Sequence, residues 1–359
     1  MASELSVVIH AEEEFDWKGG FDRSNTRVSP QHTLIKLIDA LVAQGAKVTL
    51  AMDYAFVSSV EGQEVISHFK WLEGSYIEFA CHLHPWINPP FYSNASTVSN
   101  FASYPGNLPP HQEQQKIAAL TEKIVEVCGV APVSYLAGRH GFGSNTLAHI
   151  VSMGYKIDLS ICPYYDLSDS DGPDFSQQTC LNYSKNGVRF LPHTAAITSW
   201  LSFLEPRFNR QPQMFSQWQN SKLLKLLGQL IGLRLDRLSP EGLSLRQMKR
   251  VFKAQQRMGQ NNFILSFHSS SFIPNVTPYT QGDDDVEHLA ERVLTFVRWA
   301  IETQHCEPWL PKSSVSAIVE TTAEPSVNKK SPIRSKPSKS EPTKTAVIER
   351  ETRTAKSEY

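Results

Sequence analysis

The sequence predicts an α/β fold whose strands run parallel. Short β-branched runs alternate with helical patterns along most of the chain, and polar side chains gather where the strand-like runs end. This rhythm is typical of strand–helix–strand units with right-handed crossovers. Since functional sites in such folds lie at the carboxyl ends of the strands, each strand end is a candidate position for chemistry.

Length and composition are those of a soluble globular protein. The chain has 359 residues, of which 40% are hydrophobic and 20% charged, and it can bury a core as one large domain or two small ones. The formal net charge of -1 provides no overall field that would attract polyanions. We therefore expect neither nucleic acid nor an anionic membrane as a partner.

The expected location is the cytoplasm. The first residues lack a basic region followed by an apolar stretch, and the chain contains no run of about 18 apolar residues. An integral membrane segment is therefore not expected. The cysteines are odd in number and lack paired spacing, which fits reduced thiols. They are Cys81, Cys128, Cys162, Cys180 and Cys306.

The first predicted strand, residues 5–9, leads into a polar segment. His10 follows it directly, and Glu12 lies two residues further along, on the same side of the strand. Glu13 and Glu14 continue the segment, although they would also suit the start of a solvated helix. This strand end is therefore a candidate site.

The next elements keep the alternation. A Ser-Pro pair at 29–30 marks a helix start, and Gly45 marks its end. A strand over 47–52, a helix over about 63–72 and a strand over 76–80 follow. The first three strands should therefore lie parallel in one sheet.

Two imidazoles stand on alternate residues after this third strand, in the segment HLHPW. Alternate residues of a strand point the same way, so His82 and His84 can share one ligand. Pro85 ends the strand and places the pair at the start of a loop. This pair is the centre of the predicted site.

The connection over residues 86–110 is long and lacks periodicity, which is typical of a functional segment. We expect four of its aromatic side chains to form a wall for a substrate, while a packed structural loop would explain them equally well. These residues are Trp86, Phe91, Tyr92 and Tyr104.

The second half of the chain repeats the pattern with further polar strand ends. A strand over 133–136 leads into three glycines around Arg139, where the backbone can approach a neighbour closely while the guanidinium is held nearby. Asp158 follows a strand over 154–157, and His268 follows the last clear strand, residues 263–267. Other predicted elements are a strand over 188–191 before His193, and helices over 112–127, 222–235, 239–252 and 283–304. His193 is interpreted as a structural or substrate-side residue.

The composition changes after about residue 310 to Lys, Ser, Thr, Pro and Glu. Such a segment cannot bury enough apolar surface to fold. The sequence therefore predicts a folded catalytic domain over 1–310 and a disordered tail over 311–359.

One carboxylate and two imidazoles form a set of ligands that leaves positions open for water and a substrate oxygen, as hydrolytic zinc sites require. Glu12, His82 and His84 form that set. Arg139 can hold an oxyanionic group, while His268 can deliver a proton because its ordinary pKa lies near working pH.

In this order the motifs resemble those of polysaccharide deacetylases of the NodB-homology type, carbohydrate esterase family 4. The sequence looks closest to the WalW-like branch, which is linked to lipopolysaccharide and exopolysaccharide biosynthesis. The resemblance covers roughly residues 5 to 305. It implies a distorted (β/α)7-type barrel.

The motifs match the family one by one. Glu12 takes the metal position of the first motif, and HLHPW is the histidine-rich second motif. The third motif falls on 139–143, Asp158 lies in the fourth, and His268 ends the fifth, Leu-x-x-His.

The sequence departs from the family pattern at two positions. His10 stands where the family has its catalytic Asp, and the family spacing of four residues would place the second histidine at Trp86, so His84 substitutes for it.

The resemblance implies hydrolytic removal of an N-acetyl group from a sugar, with a divalent metal, expected to be zinc, held by the three ligands. His10 or Glu13 would accept the proton of water. His268 would protonate the leaving amine, steadied by Asp158, and Arg139 would position the base region. A glycan-binding protein without turnover and another metal hydrolase, such as a phosphoesterase, are the alternatives. No oligomeric state is predicted.

Overall fold

The computed structural model describes residues 3–16 and 19–315. Its strands in this part of the chain are β1 (Glu4–Ala11), β2 (Val48–Met52), β3 (Ile77–Leu83), β4 (Ser134–Ala137), β5 (Ile157–Asp158), β6 (Tyr183–Lys185), β7 (Val188–Phe190), β8 (Ala195–Thr198), β9 (Arg234–Arg237), β10 (Asn262–His268) and β11 (Glu307–Pro308). The α-helices are α1 (His32–Ala43), α2 (Tyr54–Ser58), α3 (Val60–Phe69), α4 (Pro110–Cys128), α5 (Thr146–Ser152), α6 (Glu205–Arg210), α7 (Pro212–Asn220), α8 (Lys222–Leu230), α9 (Leu245–Arg257) and α10 (Asp283–Arg298).

Seven parallel strands form the main sheet in the order β10-β1-β2-β3-β4-β5-β7, and β6 adds an antiparallel edge. The antiparallel pair β8–β9 lies across the opening of this sheet. The residues that flank this pair are hydrogen-bonded to β10. The Ser266 amide donates to the Leu238 carbonyl (3.1 Å), and the Ile264 amide donates to Thr194 Oγ1 (2.8 Å). The result is the distorted barrel of parallel strands and helices that was predicted.

Alternate strand residues face two different surroundings. Val7 and Ile9 of β1 belong to the main core beneath the helices, whereas Val8 belongs to a smaller cluster on the other face of the sheet. By the same period of two, His10 and Glu12 follow Val8 on the inner face. Burial of each large aliphatic side chain contributes about 1.5–3 kcal/mol, so this alternation strongly fixes which residues enter the barrel.

Three helix predictions needed correction. The helix expected over 239–252 begins only at Leu245, where Ser244 caps it. The helix expected over 222–235 ends at Leu230, because Gly232 adopts a left-handed conformation (φ 64) and residues 234–237 then pair with β8. The first helix begins at His32 instead of at the Ser-Pro pair, since the Ser29 amide donates to Glu14 Oε1 (2.6 Å).

The folded part extends past the predicted domain boundary at residue 310. Pro311–Ser314 form a 3-10 helix, and the Lys312 amide donates to Glu78 Oε2 (2.9 Å). Val315 packs on the inner cluster. The rest of the predicted tail, from residue 316, lies outside the described residues.

Among the helices that the structure describes, none is both long and apolar enough to cross a bilayer. All five cysteines are buried free thiols, as expected from their number and spacing.

Candidate metal centre

Two strand ends bring Glu12, His82 and His84 together. Glu12 follows β1, His82 lies in β3, and His84 comes directly after β3, two residues further on the same face. Glu12 Oε2 lies 3.3 Å from His82 Nε2 and 3.6 Å from His84 Nε2. The three predicted ligands therefore present their donor atoms to one point within the barrel mouth.

The other ring nitrogen of each histidine has a partner that fixes the tautomer. His82 Nδ1 lies 3.1 Å from the Leu136 carbonyl, which can only accept, so Nδ1 carries the hydrogen and donates. His84 Nδ1 lies 2.9 Å from Glu13 Oε2 and donates to that carboxylate. Both Nε2 atoms therefore keep a lone pair directed toward Glu12, the state in which imidazole binds a metal.

Glu13 supports His84 instead of facing the site. Besides His84, its carboxylate accepts a hydrogen bond from Trp86 Nε1 (2.9 Å), and its side chain is fully buried. Burial raises the pKa of Glu13 to about 7 and holds the pKa of its neighbour Asp53 well above the ordinary value. Both carboxylate oxygens are engaged, Oε2 by His84 and Oε1 by Trp86, so Glu13 positions His84; its role as an alternative base stays a prediction.

The donor set fits a divalent metal. Two atoms held about 2.1 Å from a tetrahedral zinc lie about 3.4 Å apart, close to the separations from Glu12 to the two histidines. Burial opposes the charge of Glu12, but His268 and His82 outweigh it and lower the pKa of Glu12 to about 2. The carboxylate is therefore ionised at neutral pH, as a ligand must be.

His268 lies beside this set as an imidazolium. Its Nδ1 donates to Glu241 Oε2 (2.9 Å), and its amide donates to Glu241 Oε1 (2.9 Å). Burial opposes the charged form, yet the carboxylates of Glu241 and Glu12 outweigh it and raise the pKa of His268 to about 9. The ring is thus a proton donor at neutral pH.

Asp158 does not steady His268, contrary to the prediction. It lies on β5, where its carboxylate accepts from the Ser160 amide (3.0 Å) and from Ser160 Oγ (2.8 Å). Ser160 Oγ in turn accepts a hydrogen bond from the Ala137 amide (2.8 Å), which links β4 to this turn. Asp158 therefore braces the backbone behind the site. The residue that bonds to His268, as the sequence predicted for Asp158, is Glu241.

His10 lies inside the barrel among other imidazoles. The centroid of its ring is 4.7 Å from that of His268, 5.0 Å from that of His82 and 5.7 Å from that of His193. Burial, and then the charge of His268, hold the pKa of His10 well below its ordinary value. Its Nε2 is buried and has no hydrogen-bond partner among the described residues. His10 is therefore a neutral ring.

His193 and His140 complete this interior group. His193 is fully buried with Nδ1 2.9 Å from Ser266 Oγ, which fits its predicted structural role. His140 Nε2 accepts from Arg237 (2.8 Å), while its Nδ1 donates to the Ser160 carbonyl (3.0 Å).

Arg139 holds the 86–110 connection. Its guanidinium donates to Asn100 Oδ1 (2.9 Å) and to Ser103 Oγ, and it lies 4.0 Å from the Tyr104 ring centroid. Arg139 adopts a left-handed φ of 53, a conformation that bulky residues rarely take. These contacts fix Arg139 against the 86–110 connection, and its part in positioning the region of the general base stays a prediction.

The four aromatic residues of the predicted wall divide into two pairs. Trp86 and Tyr104 are each about 1% exposed, because Trp86 stacks on His84 (centroids 4.3 Å apart) and Tyr104 packs on Arg139. Neither offers a surface to a ligand, which corrects that part of the prediction. Phe91 and Tyr92 are 45% and 40% exposed and remain accessible.

Sequence reasoning missed two carboxylates that organise the site. Asp53 accepts the Glu13 amide (2.9 Å) and the amide of Phe56 (2.6 Å), so it both braces Glu13 and caps α2. Its position directly after β2 was a usable signal. Glu241 follows a Ser-Pro pair after β9, a pattern that indicates a helix start and therefore concealed its contact with His268.

Comparisons with known proteins found similar folds among solved structures. No protein-family model matches the sequence, and no curated protein matches it. Among solved structures, a 4-alpha-glucanotransferase from Thermococcus litoralis is similar with a TM-score of 0.51 and 9% identity, over 88% of this chain and 40% of that one. The chain thus spans less than half the length of that enzyme.

Two further solved structures are described as polysaccharide deacetylases. The protein from Mycobacterium smegmatis is 10% identical, with a TM-score of 0.49 over 93% of this chain and 96% of that one. The protein from Pseudomonas aeruginosa PAO1 is 12% identical, with a TM-score of 0.46 over 89% and 91% of the two chains. At such identities the likeness concerns the fold, and activity has to be argued from the site.

Proposed function

We propose that this chain is a metal-dependent hydrolase that removes the acetyl group from an N-acetylated sugar. The observation that carries the proposal is that two features lie side by side. One is a set of three donors that fits one divalent metal, and the other is a histidine held as an imidazolium. Amide hydrolysis needs both an activated water and a proton for the leaving amine.

Glu12, His82 and His84 would hold the metal. A bound zinc supplies polarisation of the acetyl carbonyl and lowers the pKa of a bound water from 15.7 to about 7. Glu13 keeps the His84 ring oriented through the Nδ1 hydrogen bond. The Leu136 carbonyl does the same for His82.

Protons would move through the two remaining histidines. His10 has an unpartnered Nε2 among the described residues and can accept the proton of water as a neutral ring. His268 would donate a proton to the leaving amine; a proton from solvent would then restore the imidazolium, which the Glu241 carboxylate stabilises. The opposite charge states of the two neighbouring rings separate the base from the acid.

The substrate class and setting complete the proposal. A sugar of a polysaccharide, or of a lipopolysaccharide or exopolysaccharide precursor, follows from the resemblance of the motifs, including the WalW-like branch and a cytoplasmic address. Cleavage of a carbon–nitrogen bond distinguishes this activity from ester hydrolysis. A non-catalytic glycan-binding protein is the competing function, because His10 replaces the family's Asp.

Metal analysis of the purified full chain tests whether the protein binds a metal. After reconstitution with zinc, one equivalent of metal should remain bound to the wild-type protein and to His68→Ala, a surface control on α3. His82→Ala should lose it. Absence of metal from the wild-type protein would refute the proposal.

Acetate release from N-acetylated oligosaccharides and sugar nucleotides tests whether the protein catalyses deacetylation. The metal-loaded protein should release acetate, and His10→Ala should abolish release while retaining metal. Metal binding without release from any acetylated sugar in the panel would favour the glycan-binding alternative.

A further inference from the structure

A pocket of about 280 Å³ lies between the 86–110 connection and α4. Pro85, the residue after His84, forms part of its wall, although none of the three proposed metal ligands lines it. Other lining residues used below are Arg23, Tyr92, Ser93, Ser99 and Lys116.

The pocket contains two cationic side chains and no carboxylate among the residues that line it. Lys116 is only 4% exposed, and its ammonium donates to the Asn88 carbonyl. Arg23 donates to the Ser93 carbonyl and to Ser93 Oγ (3.1 Å), while its Nε is buried without a hydrogen-bond partner among the described residues. A buried charge usually has a counterion, because desolvation is costly.

The two cationic groups lie close to the same aromatic ring, that of Phe91. The Arg23 guanidinium carbon lies 4.8 Å and the Lys116 ammonium 5.0 Å from the Phe91 ring centroid. Burial, and then the charge of Arg23, lower the pKa of Lys116 to about 8. An anion placed between them would relieve both the repulsion and the missing hydrogen bond.

We propose that this pocket binds an anionic group of the sugar substrate, a carboxylate or a phosphate ester. Arg23 and Lys116 contact the anion, Ser93 and Ser99 supply hydroxyl groups, and the exposed face of Tyr92 packs on the sugar ring. Calling the ligand a substrate rests on the proposed deacetylase function, whereas the anion site itself rests on these charges and contacts.

Binding measurements by titration calorimetry on the full chain test this site without turnover. Glucuronate and glucose 1-phosphate should bind more tightly than glucose, and the comparison between the two shows whether a carboxylate or a phosphate is preferred. Lys116→Met and Arg23→Gln should each weaken binding of the anionic sugars at least tenfold. Lys123→Met, at a partly buried position of the same helix where the ammonium pairs with Glu126 (3.0 Å) outside the pocket, is the matched control and should bind as the wild type does.

Equal binding of glucose and the two anionic sugars would overturn the inference, as would unchanged binding in both variants. Arg23 is only partly buried, so Arg23→Gln provides a test if Lys116→Met unfolds. Failure of the deacetylase function would appear separately, as a protein that binds anionic sugars without binding metal. Failure of the subsite would appear as acetate release with no preference for acidic sugars.

A second surface is defined by an exposed apolar face around α8. On this helix the outward residues recur at i, i+3, i+4 and i+7, the spacing of one helix face. Trp200 donates its amide to the Ile231 carbonyl (2.9 Å) at the end of α8, which places its 70% exposed side chain beside the helix. The α8 face consists of Trp200, Phe203, Leu223, Leu226, Leu227 and Leu230, all exposed.

Basic residues surround the α8 face although the whole chain has a net charge of -1. Residues 201–235 contain five Lys and Arg and one acidic residue, Glu205, which is buried. Helix α9 carries five basic and no acidic residues; Arg250 faces the α8 side, whereas Lys249 and Lys253 lie over the Trp299 ring and Arg257 pairs with Glu205. Next to Trp200, a groove of about 280 Å³ is lined by Arg250, Arg234 and Asp236, and the Asp236 carboxylate pairs with Arg234 (3.2 Å).

We infer that the α8 face docks on an anionic phospholipid surface. An amphipathic helix that presents leucine and aromatic side chains, flanked by lysine and arginine, lies in the interface of a bilayer with its apolar face inserted. The groove beside Trp200 has room for a lipid phosphate. The net charge of -1 led us to expect no membrane partner. A local basic surface can nevertheless bind a membrane without an overall positive charge.

Flotation of the full chain with vesicles tests the α8 face. Vesicles of phosphatidylcholine and phosphatidylglycerol in equal parts should carry the protein, and vesicles of phosphatidylcholine alone should carry far less. Lys225→Glu replaces an attraction worth about 1 kcal/mol by a repulsion of similar size, so its partition coefficient should fall about 30-fold. Lys36→Glu on α1 is the matched charge control and should float with the anionic vesicles as the wild type does.

The apolar contribution is tested by Leu226→Ser combined with Leu230→Ser, which should reduce flotation at least tenfold, while Trp71→Ser, an exposed aromatic residue elsewhere, should not. Equal flotation with both vesicle types would overturn the inference. So would preferential binding of a DNA or RNA oligonucleotide, or a dimer in sedimentation experiments that Leu226→Ser dissociates.

Discussion

At the scale of single residues, the carboxylate of Glu241 decides the charge of the histidine that would act as the acid. His268 bonds to Glu241 through both its ring and its backbone amide. Because the carboxylate stabilises the imidazolium, the pKa of His268 rises to about 9 despite burial, and the ring stays protonated through neutral pH.

Glu241→Gln should lower the pKa of His268 by at least about one unit, since one unit corresponds to about 1.4 kcal/mol of charge stabilisation. Titration of the histidine ring signals by NMR measures this shift. In a deacetylation assay, the loss of rate at high pH should begin at a lower pH in the variant. Asp158→Asn should leave both observations unchanged, and an equal effect of the two substitutions would contradict the assignment.

Glu13 acts on the metal centre through His84. Glu13→Gln removes the charge behind the His84 ring while keeping an acceptor, so zinc affinity should fall about 10- to 100-fold. Competition with a chromophoric chelator measures that affinity. Glu14→Gln, at the next position but bonded to the Ser29 amide and Arg27, is the matched control. Unchanged affinity in Glu13→Gln would remove Glu13 from the site.

At the scale of elements, the junction of β3 and β4 depends on Gly138. A Cβ atom at this position would lie 2.3 Å from the Leu83 carbonyl oxygen and 2.5 Å from His84 Cδ2. Only a residue without a side chain lets the strand end pass so close to a metal ligand.

Gly138→Ala should therefore displace His84, cost about 1–3 kcal/mol of unfolding free energy through overpacking, and weaken zinc binding. Thermal unfolding and chelator competition measure the two effects. Gly282→Ala is the control, because a Cβ there meets nothing within 4 Å. Wild-type metal affinity in Gly138→Ala would mean that His84 tolerates the displacement.

The strand ends were predictable from sequence because parallel strands buried on both faces read as apolar runs, and polar residues directly after such runs stand out. This reasoning located Glu12, His82, His84 and His268. It could not locate Glu241 or assign Asp158, because the contact between Glu241, in the segment after β9, and His268, at the end of β10, depends on packing across the barrel opening. The β8–β9 pair was missed since Leu233 and Leu235 continue the apolar character of α8.

At the scale of the whole molecule, the stability of the fold is coupled to pH through carboxylates buried beneath the barrel. Glu78 on β3 accepts hydrogen bonds from Ser134 Oγ and from the Lys312 amide (2.9 Å). Burial raises the pKa of Glu78 from 4.5 to about 7. The folded state therefore binds this proton more tightly than the unfolded state.

This stabilisation should be complete below pH 4.5 and lost as the pH rises to about 7, a change of about 3 kcal/mol. Glu78→Gln should remove that share of the pH dependence, so that the variant gains stability relative to wild type as the pH rises. Urea unfolding at a series of pH values measures the difference. Glu287→Gln, exposed on α10, should follow the wild type, and parallel curves for wild type and Glu78→Gln would contradict the prediction.

The register of β1 against β10, which sets His10 opposite His268, joins two ends of the described chain. All three proposed metal ligands lie within the first 84 residues, whereas Glu241 and His268 are synthesised much later. Since a chain leaves the ribosome from its N-terminus, the donors for the metal emerge well before the proton donor. Under the proposed function, docking of β10 onto β1 would therefore be the step that brings the proton donor to the metal ligands.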